Sequence, residues 1–472
     1  MAADMSLLCR ALFALGSTMA SVALADTALP DLGSSEPSTE RTKSYAIPAA
    51  EIIGFDFLLN RIDRQIYGRE YRVTGSTIRR NLQSSWNVDR DPYKVNQLLH
   101  PYQGAMYHGF ARSAGLGFWE SLGYTFAGSA MWEIAGEDTL PSRNDQIASG
   151  IAGSFLGEAL FRMSSLVLEH GYGDSKWREA GAALISPPTG FNRVAFGERF
   201  KQVLNSNDPA YYGRLQVGTS ATTQHHAGDD SSAPKRNELL VDFSMDYGLP
   251  GKPGYHYNRP FDYFTFQVTA SSANAVESMA TRGLLLGTSY EAGERYRGIW
   301  GLYGSYDYIS PQIFRVSSTA LSLGTTGELR ISNAIVAQGS ILAGVGYAGV
   351  GTLHATTDTD YHYGVTPQGL LALRLIFGDA ASFDLTGRDF FISKVAGTGS
   401  SGHDNIARAD ISLTLRVKRE HAVAIKYLWS RRDATFPGLS DLSRNDQAQS
   451  RGTLGLYYVY LGKGRFGAVD WR

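Results

Sequence analysis

The second half of the chain alternates apolar and polar side chains over long runs. In ARADISLTLRVK (407–418) every odd position is Ala, Ile, Leu or Val, and every even position is charged or hydroxylated. A period of two is that of a β-strand, whose successive side chains point to opposite faces. Soluble β-sandwiches alternate in the same way, but runs of ten or more residues fit a tilted membrane-spanning strand. We therefore predict strands with one face toward lipid and the other toward a wet lumen.

Twelve strands are predicted in this half, an even number as in single-chain bacterial barrels. Turn-forming stretches such as GLPGKPGYHYNRP and VAGTGSSGHDN separate them. The final run, TLGLYYVY, is similar to the C-terminal signal of outer-membrane barrels, but LGKGRFGAVDWR follows it. Either the signal is internal or a short extra segment comes after it. The predicted strands are 212–223, 236–248, 261–273, 279–291, 294–308, 312–324, 328–346, 360–377, 379–393, 404–418, 420–433 and 449–462.

The first half shows the period of about 3.6 residues that is typical of helices. The stretch HPYQGAMYHGFARSAGLGFWESLGYTFAGSAMWE (100–133) resembles a membrane helix, yet it contains two histidines, an arginine and two glutamates. Between Glu120 and Glu133 only twelve residues are uncharged, which is too short a run to span a membrane. The predicted fold class is α+β, with a helical domain at 48–204 followed by an antiparallel transmembrane β-barrel at 205–472.

The N-terminus has the features of a secretory signal peptide. Arg10 precedes an apolar run that ends in Ala-Leu-Ala, so residues 1–25 are predicted to be removed after Ala25. Residues 26–47 are rich in Ser, Thr, Pro and acidic residues and are predicted to be flexible. Cys9 is the single cysteine of the chain. The exported form is therefore expected to have no disulfide and no thiol nucleophile.

Charge and composition limit the classes of partner that we expect for this protein. The net charge is −1 over 472 residues, so we expect no nucleic-acid partner. Charged residues make up 19% of the chain, while there are 52 Gly and 26 Tyr, a composition that favours an outer-membrane barrel. The expected partners are outer-membrane lipid and the barrel-assembly machinery, in the outer membrane of a Gram-negative bacterium. We expect no cofactor and no metal, and the oligomeric state stays open.

Polar residues within the apolar helices are the candidates for chemistry. They could form a metal or acid–base site, or they could be helix caps and ion pairs with Arg112, Arg143 or Arg162. Both interpretations stay open, since no protease, hydrolase or phosphate-loop motif is present. The catalytic candidates are His100, His108, Glu120, Glu133, Asp145 and Glu158.

The late strands place charges on the face that alternates with the apolar one. Cysteines at positions 410 and 412 are predicted to react with a water-borne reagent, whereas a cysteine at 411 would be protected by lipid. The residues predicted to face the lumen are Arg374, Asp384, Arg388, Arg408, Asp410 and Arg416.

Helix contacts are predicted from small residues and caps. Ser142 is expected to cap a helix with Asp145 at its third position, and Glu158 is expected to pair with Arg162 one turn later. A stripe of Gly150, Gly153 and Gly157 is expected to pack against GYTFAGSA (123–130). The helical domain is expected on the periplasmic side, partly closing the barrel.

Four stretches carry a family resemblance. They are NVDRDPYKVNQLLHPYQGAMYHGFARSAGLGFWES, SAMWEIAGE, PSRNDQIASGIAGSFLGEALFR and SPPTGFNR. Over about residues 86 to 197 the chain resembles domain-of-unknown-function family 3943. The resemblance implies an exported bacterial protein in which this domain precedes a barrel-like half, and it implies no activity or catalytic residue.

Three classes of function remain. The first is a barrel that passes or binds a small solute or lipid, with the helices as plug or vestibule. The second is an outer-membrane enzyme that modifies lipid or envelope, using the carboxylates and histidines of the helices. The third is a structural or envelope-assembly protein. Conductance in planar bilayers would favour the first, and lipid turnover by the pure protein the second.

Overall fold

The computed structural model describes residues 43–169, 176–226, 237–310, 315–351, 357–397, 402–436, 448–462 and 465–471. The chain divides after Ser206 into a helical unit and a barrel unit. The predicted signal peptide and residues 26–42 of the predicted flexible segment lie outside the described residues. The first described helix begins at Ala46.

The helical unit contains eight described α-helices. Two of them continue directly from a π-helical turn, Val95–Leu99 before the third helix and Ala148–Ala152 between the fifth and the sixth. Ser142 caps the fifth helix by accepting a hydrogen bond from the backbone N–H of Asp145, as predicted. The helices are α1 Ala46–Ile66, α2 Gly75–Gln83, α3 His100–Ser113, α4 Phe118–Ala135, α5 Arg143–Ile147, α6 Gly153–Glu169, α7 Lys176–Ile185 and α8 Pro187–Phe196.

Helices α3 and α6 are in the closest contact within this unit. A Cβ added to Gly153 would lie 2.6 Å from the Cα of Gly104, and one added to Gly157 would lie 2.8 Å from the Cβ of His108. The predicted partner of the glycine stripe, residues 123–130, is therefore wrong for these two glycines, and only Gly150 meets it, at Phe126. The reason is that α3 has its own small face, where Gly104 lets the two backbones approach.

The helix that runs from Arg143 to Glu169 is the core of the unit. It is long and apolar enough to cross a membrane, but 89% of its most apolar window is buried by the other helices. The neighbouring helices surround it in the way that lipid surrounds a membrane helix. The burial therefore identifies it as a core helix of this unit.

The second unit is a closed barrel of twelve antiparallel strands, each paired with its neighbour in sequence, with β1 paired to β12. The predicted strand number and fold are confirmed. The strands are β1 Tyr211–His226, β2 Asn237–Tyr247, β3 Phe264–Ser271, β4 Ser278–Ala292, β5 Tyr296–Ile309, β6 Val316–Arg330, β7 Ile335–Gly351, β8 Tyr361–Phe377, β9 Ala381–Gly397, β10 His403–Lys418, β11 His421–Thr435 and β12 Ala448–Leu461.

The boundaries of β6 and β7 differ from the predicted 312–324 and 328–346. The turn between them lies at 331–334, where the Ile331 N–H donates to the carbonyl of Ile335. The stretch TTG (325–327) was predicted as a turn but is part of β6, with Gly327 paired to Gly339. Glycine is tolerated here because Tyr296 of β5 covers the space that a side chain would occupy.

The barrel is apolar outside and polar inside. Ile411 and Leu413 on β10 are each 38% exposed, whereas Ser412 between them is 3% exposed. The same alternation recurs on β7, where Ile341 is 63% exposed and Ser340 is 6% exposed. This distribution is the reverse of that in a soluble sandwich, whose polar faces point outward.

The two ends of the barrel differ in their connections. At one end, here called the turn end, β4–β5, β6–β7, β8–β9 and β10–β11 are joined by two to four residues, and the β2–β3 connection is longer. At the other end, here called the loop end, most connections are longer. Both the start of β1 and the end of β12 lie at the turn end.

A short segment after β12, residues 465–471, packs inside the turn end. Phe466 is fully buried and Val469 is 5% exposed, and both contact lumen-facing residues such as Tyr212 and Val459. This finding answers the question left by the sequence, since a short extra segment does follow the last strand. It is called the tail below.

Candidate functional site

Ion pairs cross the lumen near the turn end. Arg374 on β8 donates to Asp246 on β2 at 2.8 Å, and these strands lie opposite each other in the twelve-strand ring. Arg374 also donates to Asp384 at 2.7 Å, and Arg214 donates to the same carboxylate at 3.2 Å. Because the pairs reach from wall to wall, their side chains occupy the middle of the lumen at this level.

A second level of charged side chains lies closer to the loop end. Arg388 on β9 pairs with Asp307 on β5, four strands away around the ring. Lys426 pairs with Asp410 at 2.9 Å, and Arg451 with Glu238 at 3.4 Å. Between these levels the wall encloses a cavity of about 230 Å³. Besides charged groups, its lining includes Ser278, Thr386, Ser430 and Tyr457.

The tail packs inside the turn end, below this cavity. Gln338 donates to the Gly467 carbonyl at 2.7 Å, and Glu328 accepts from the Val469 N–H at 3.0 Å. Trp471 is held between Arg330 and Arg297, whose guanidinium carbons lie 4.3 and 4.7 Å from its ring. The tail is therefore fixed by backbone hydrogen bonds and aromatic contacts as well as by apolar packing.

Five of the six residues predicted to face the lumen line this cavity: Arg374, Asp384, Arg388, Arg408 and Asp410. The sixth, Arg416, contacts the tail instead, with its guanidinium carbon 5.0 Å from the ring of Phe466 and a hydrogen bond to the Arg419 carbonyl. Its position next to the β10–β11 turn explains the difference.

Four basic residues of the cavity were not predicted from the sequence. Arg282 lines the cavity, and so do Arg214, Lys426 and Arg451. The signal was present for Arg282, which shares the polar face of β4 with Ser278 and Ala280. Arg214, in contrast, pairs with Asp384 on β9, and these two strands come close only when the ring is closed.

In the helical unit, Glu158 lies at the centre of a buried network. It accepts hydrogen bonds from Arg112 at 2.7 Å and from Arg162 at 2.8 Å, and His108 Nε2 lies 3.1 Å from it. Burial raises the pKa of Glu158, but Arg112, His108 and Arg162 more than offset this, so the pKa lies below its usual range. Burial lowers the pKa of His108. The predicted pairing with Arg162 is present, and Arg112 is a second partner.

His100, Asp145 and Glu133 lie in a different buried region, beside the two π-helical turns. His100 Nε2 lies 3.9 Å from Asp145, and its Nδ1 lies 3.4 Å from the Ser149 hydroxyl. Glu133 accepts a hydrogen bond from the Ser142 N–H at 2.8 Å. The three side chains sit about two helical turns along α3 from His108, so the predicted candidates do not converge on one site.

Electrostatics in this region favours neutral groups. Burial, followed by Asp89 and Glu133, raises the pKa of Asp145 well above its ordinary value. Burial and Glu137 raise the pKa of Glu133 in the same way, while burial lowers the pKa of His100. For all three groups burial shifts the pKa toward the neutral form, because a charged group without solvent is costly to bury.

Glu120, the last candidate, is a surface residue. It accepts a hydrogen bond from the backbone N–H of Gly117 at 2.6 Å, and one from the Tyr45 hydroxyl at 2.8 Å. It also forms a salt bridge of 3.4 Å with Lys43. A carboxylate in the first turn of α4 caps the free N–H groups and interacts favourably with the helix dipole. Its geometry is that of a cap.

Among the described residues, no group of three or more His, Cys, Asp or Glu side chains has the geometry to hold a metal ion. The helical candidates are nearly all less than 10% exposed and are engaged with one another or with the backbone. The cavity in the barrel, by contrast, presents charged groups to open space. The arrangement in the barrel can bind a polar solute, and the arrangement in the helices holds the unit together.

Comparison with known proteins distinguishes the same two parts of the chain, the helical segment and the barrel. Residues 85–188 match the model of the domain of unknown function DUF3943, and the closed barrel follows that segment. The family resemblance seen in the sequence is thus confirmed. No curated protein matches the chain.

Solved structures similar to the chain are outer-membrane barrels. The NanC porin is 7% identical, with 52% of this chain and 98% of that chain covered and a TM-score of 0.26. The outer-membrane channel DcaP of Acinetobacter baumannii is 8% identical, with 53% and 96% covered and a TM-score of 0.25. The translocator domain of the autotransporter NalP from Neisseria meningitidis is 13% identical, with 54% and 90% covered and a TM-score of 0.25.

Proposed function

We propose that the protein is an outer-membrane β-barrel that takes a small hydrophilic solute into its lumen and is closed at rest. One observation carries the proposal: a polar cavity of about 230 Å³ lies between the loop end and the tail. Ion pairs that cross the lumen narrow the path on the side of the turn end. Binding comes first in this proposal, and passage requires the tail and these pairs to move.

The outer wall supports a membrane location. Large apolar side chains stand exposed on the outward faces of many strands, for instance Leu323 on β6, Leu371 on β8 and Leu456 on β12. A soluble protein rarely exposes so continuous an apolar surface. In a bilayer the same surface contacts the apolar lipid chains. The closed ring also leaves no strand edge with unpaired backbone groups.

The orientation follows from the connections. Outer-membrane barrels have short periplasmic turns and longer external loops. The turn end is then periplasmic, and the loop end opens to the outside. Because the helical unit precedes β1, which starts at the turn end, we place that unit in the periplasm.

Location is tested by cell fractionation and by electrophoresis with and without heating. The protein should be recovered with outer membranes, and its folded barrel should migrate differently from the boiled form. Recovery as a soluble periplasmic protein would overturn the membrane location.

Closure is tested by conductance in planar bilayers. The wild-type protein should show low conductance, and a double replacement of Phe466 and Trp471 by Ala should raise it because the tail loses its apolar anchors. Arg374→Gln provides a second route, since it breaks the cross-lumen pair without touching the tail. Heat-modifiable mobility verifies that each variant is folded. A large, steady conductance in the wild type, equal to that of both variants, would contradict closure.

A further inference from the structure

Most basic residues that line the cavity have acidic partners, and two do not. Arg214, Arg374, Arg388, Lys426 and Arg451 each form an ion pair with a carboxylate on another strand. Within the described residues, the guanidinium groups of Arg282 and Arg408 form neither a hydrogen bond nor an ion pair, and both line the cavity. Arg282 is only 8% exposed.

The strand register brings these two arginines to a third. Arg408 on β10 is the direct cross-strand partner of Arg388 on β9. Arg388 reaches across the lumen to Asp307 on β5, and Asp307 lies two residues from Ser305, the cross-strand partner of Arg282. The charged neighbours of Arg282 are accordingly Arg388 and Asp307. Asp307 pairs directly with Arg388, while Arg282 and Arg408 lie near the same carboxylate without forming an ion pair with it.

Other acidic residues near the three arginines do not pair with Arg282 or Arg408. Asp410 and Glu277 are charged neighbours of Arg408. Asp410 is engaged by Lys426, and Glu277 sits in the β3–β4 connection without an ion pair among the described residues. Like charges placed directly opposite on neighbouring strands destabilise a sheet, and a buried guanidinium without a partner is costly. This cost falls when an anion enters.

We propose that Arg282, Arg388 and Arg408 form an oxyanion-binding site for a small solute that carries a carboxylate or phosphate group. Guanidinium groups bind such groups through paired N–H donors in a geometry that matches two oxygens. The cavity volume exceeds that of one ion, so the anionic group would be part of a solute of several heavy atoms. The inference deepens the proposed function, on which it rests, by naming the chemistry of the solute.

Binding is measured by calorimetry on the full-length protein in detergent, with inorganic phosphate and succinate as probes and glycerol as the neutral comparison. Phosphate or succinate should bind and glycerol should not. Arg282→Gln and Arg408→Gln should each weaken binding about tenfold or more, since each removes charge-assisted hydrogen bonds. The matched control is Arg431→Gln, an outward-facing arginine of β11 that is paired with Asp433 and should leave binding unchanged.

A labelling experiment separates this inference from the function beneath it. Ala280 lines the cavity on the same strand face as Arg282, so a cysteine there reports whether a water-borne thiol reagent reaches the lumen. Labelling at 280 without binding of either anion overturns the oxyanion site and leaves the solute cavity standing. No labelling at 280 overturns both. Equal affinity in Arg282→Gln, Arg408→Gln and wild type also overturns the site, because binding would then occur elsewhere.

Discussion

The two units of this protein distribute polarity in opposite ways. In the helical unit, aromatic and aliphatic side chains such as Tyr107 and Phe161 are fully buried. In the barrel, Ile341 and Val417 are among the most exposed side chains, and charged residues fill the interior. The same chain thus contains one unit with an aromatic core and one unit with an apolar outer wall around a charged interior.

The two units also bury charge by different means. In the helices, burial raises the pKa of Asp145 and of Glu133, whereas the arginines around Glu158 hold its pKa below the usual range. In the barrel, carboxylates and guanidinium groups form pairs that extend from one wall to another. A packed helical core has no room for water around charge, whereas a lumen does. Buried charged side chains thus hold the helical unit together, whereas in the barrel they line a cavity.

The largest expected effect is at the centre of the helical network. Glu158→Gln leaves Arg112 and Arg162 buried without their anion, and removal of one partner from a buried ion pair costs about 3–5 kcal/mol. The helical unit of the full-length variant should become sensitive to protease at a lower urea concentration. Glu120→Gln is the matched control, because that carboxylate is at the surface and should cost far less. Equal resistance of both variants would show that the network does not stabilise the unit.

A smaller effect is expected on the outer wall of the barrel. Ile341→Arg places a charge near the middle of β7, which should cost about 2–4 kcal/mol if that surface faces the bilayer centre. Val417→Arg, next to a short turn, should cost only about 0–1 kcal/mol because it lies at the interface. Folding into lipid vesicles across a urea series gives both values. Equal costs at the two positions would mean that no hydrophobic layer surrounds the barrel.

A third expected effect is a dependence of the stability of the helical unit on pH. Burial raises the pKa of Asp56 to about 8, although the hydrogen bond from Tyr107 lowers it. Between pH 4 and 8 the folded unit then keeps a proton that the unfolded chain releases, so stability falls as the pH rises through this range. The depressed pKa of Glu158 acts in the opposite sense, since its contribution is lost only as the pH falls below about 4.

Hydrogen exchange of peptides from α1 and α3, corrected for intrinsic rates, provides the readout. Protection should be greater at pH 5.5 than at pH 8, and Asp56→Asn should reduce the difference because the amide does not titrate. Part of the difference should remain, since burial also raises the pKa of Glu51 on α1 to about 8. A difference of equal size in Asp56→Asn would assign the pH dependence to other groups.

The architecture could be predicted from the sequence because it depends on periodicity. Alternation in ARADISLTLRVK predicted which residues of β10 face inward, and even the number of strands followed from such runs. The turn between β6 and β7 was misplaced because Gly327 and the threonines before it resemble turn residues. Their place in a strand depends on Tyr296 of the preceding strand, β5. Local patterns predict single strands, whereas the contacts between strands depend on the closure of the ring.

The candidate site could be predicted only in part for the same reason. Arg388 and Arg408 were identified from their strands. Arg282 becomes part of the same group only because Arg388 extends across the lumen to Asp307, close to Arg282. Among the helices, His108, Glu158 and Arg112 were all identified from the sequence, but which of them pair depends on the contact of α3 with α6. Contacts between distant segments decide whether a polar residue is paired or available.

Cysteine labelling along β10 in intact outer membranes tests most directly that the barrel has a wet interior and a lipid-facing wall. Asp410→Cys should react with a water-borne thiol reagent, while Ile411→Cys should be protected although it is more than a third exposed in the protein alone. Ser412→Cys should also react, but slowly, because the serine is 3% exposed. Rapid labelling at 411 together with protection at 410 would contradict the assignment of faces.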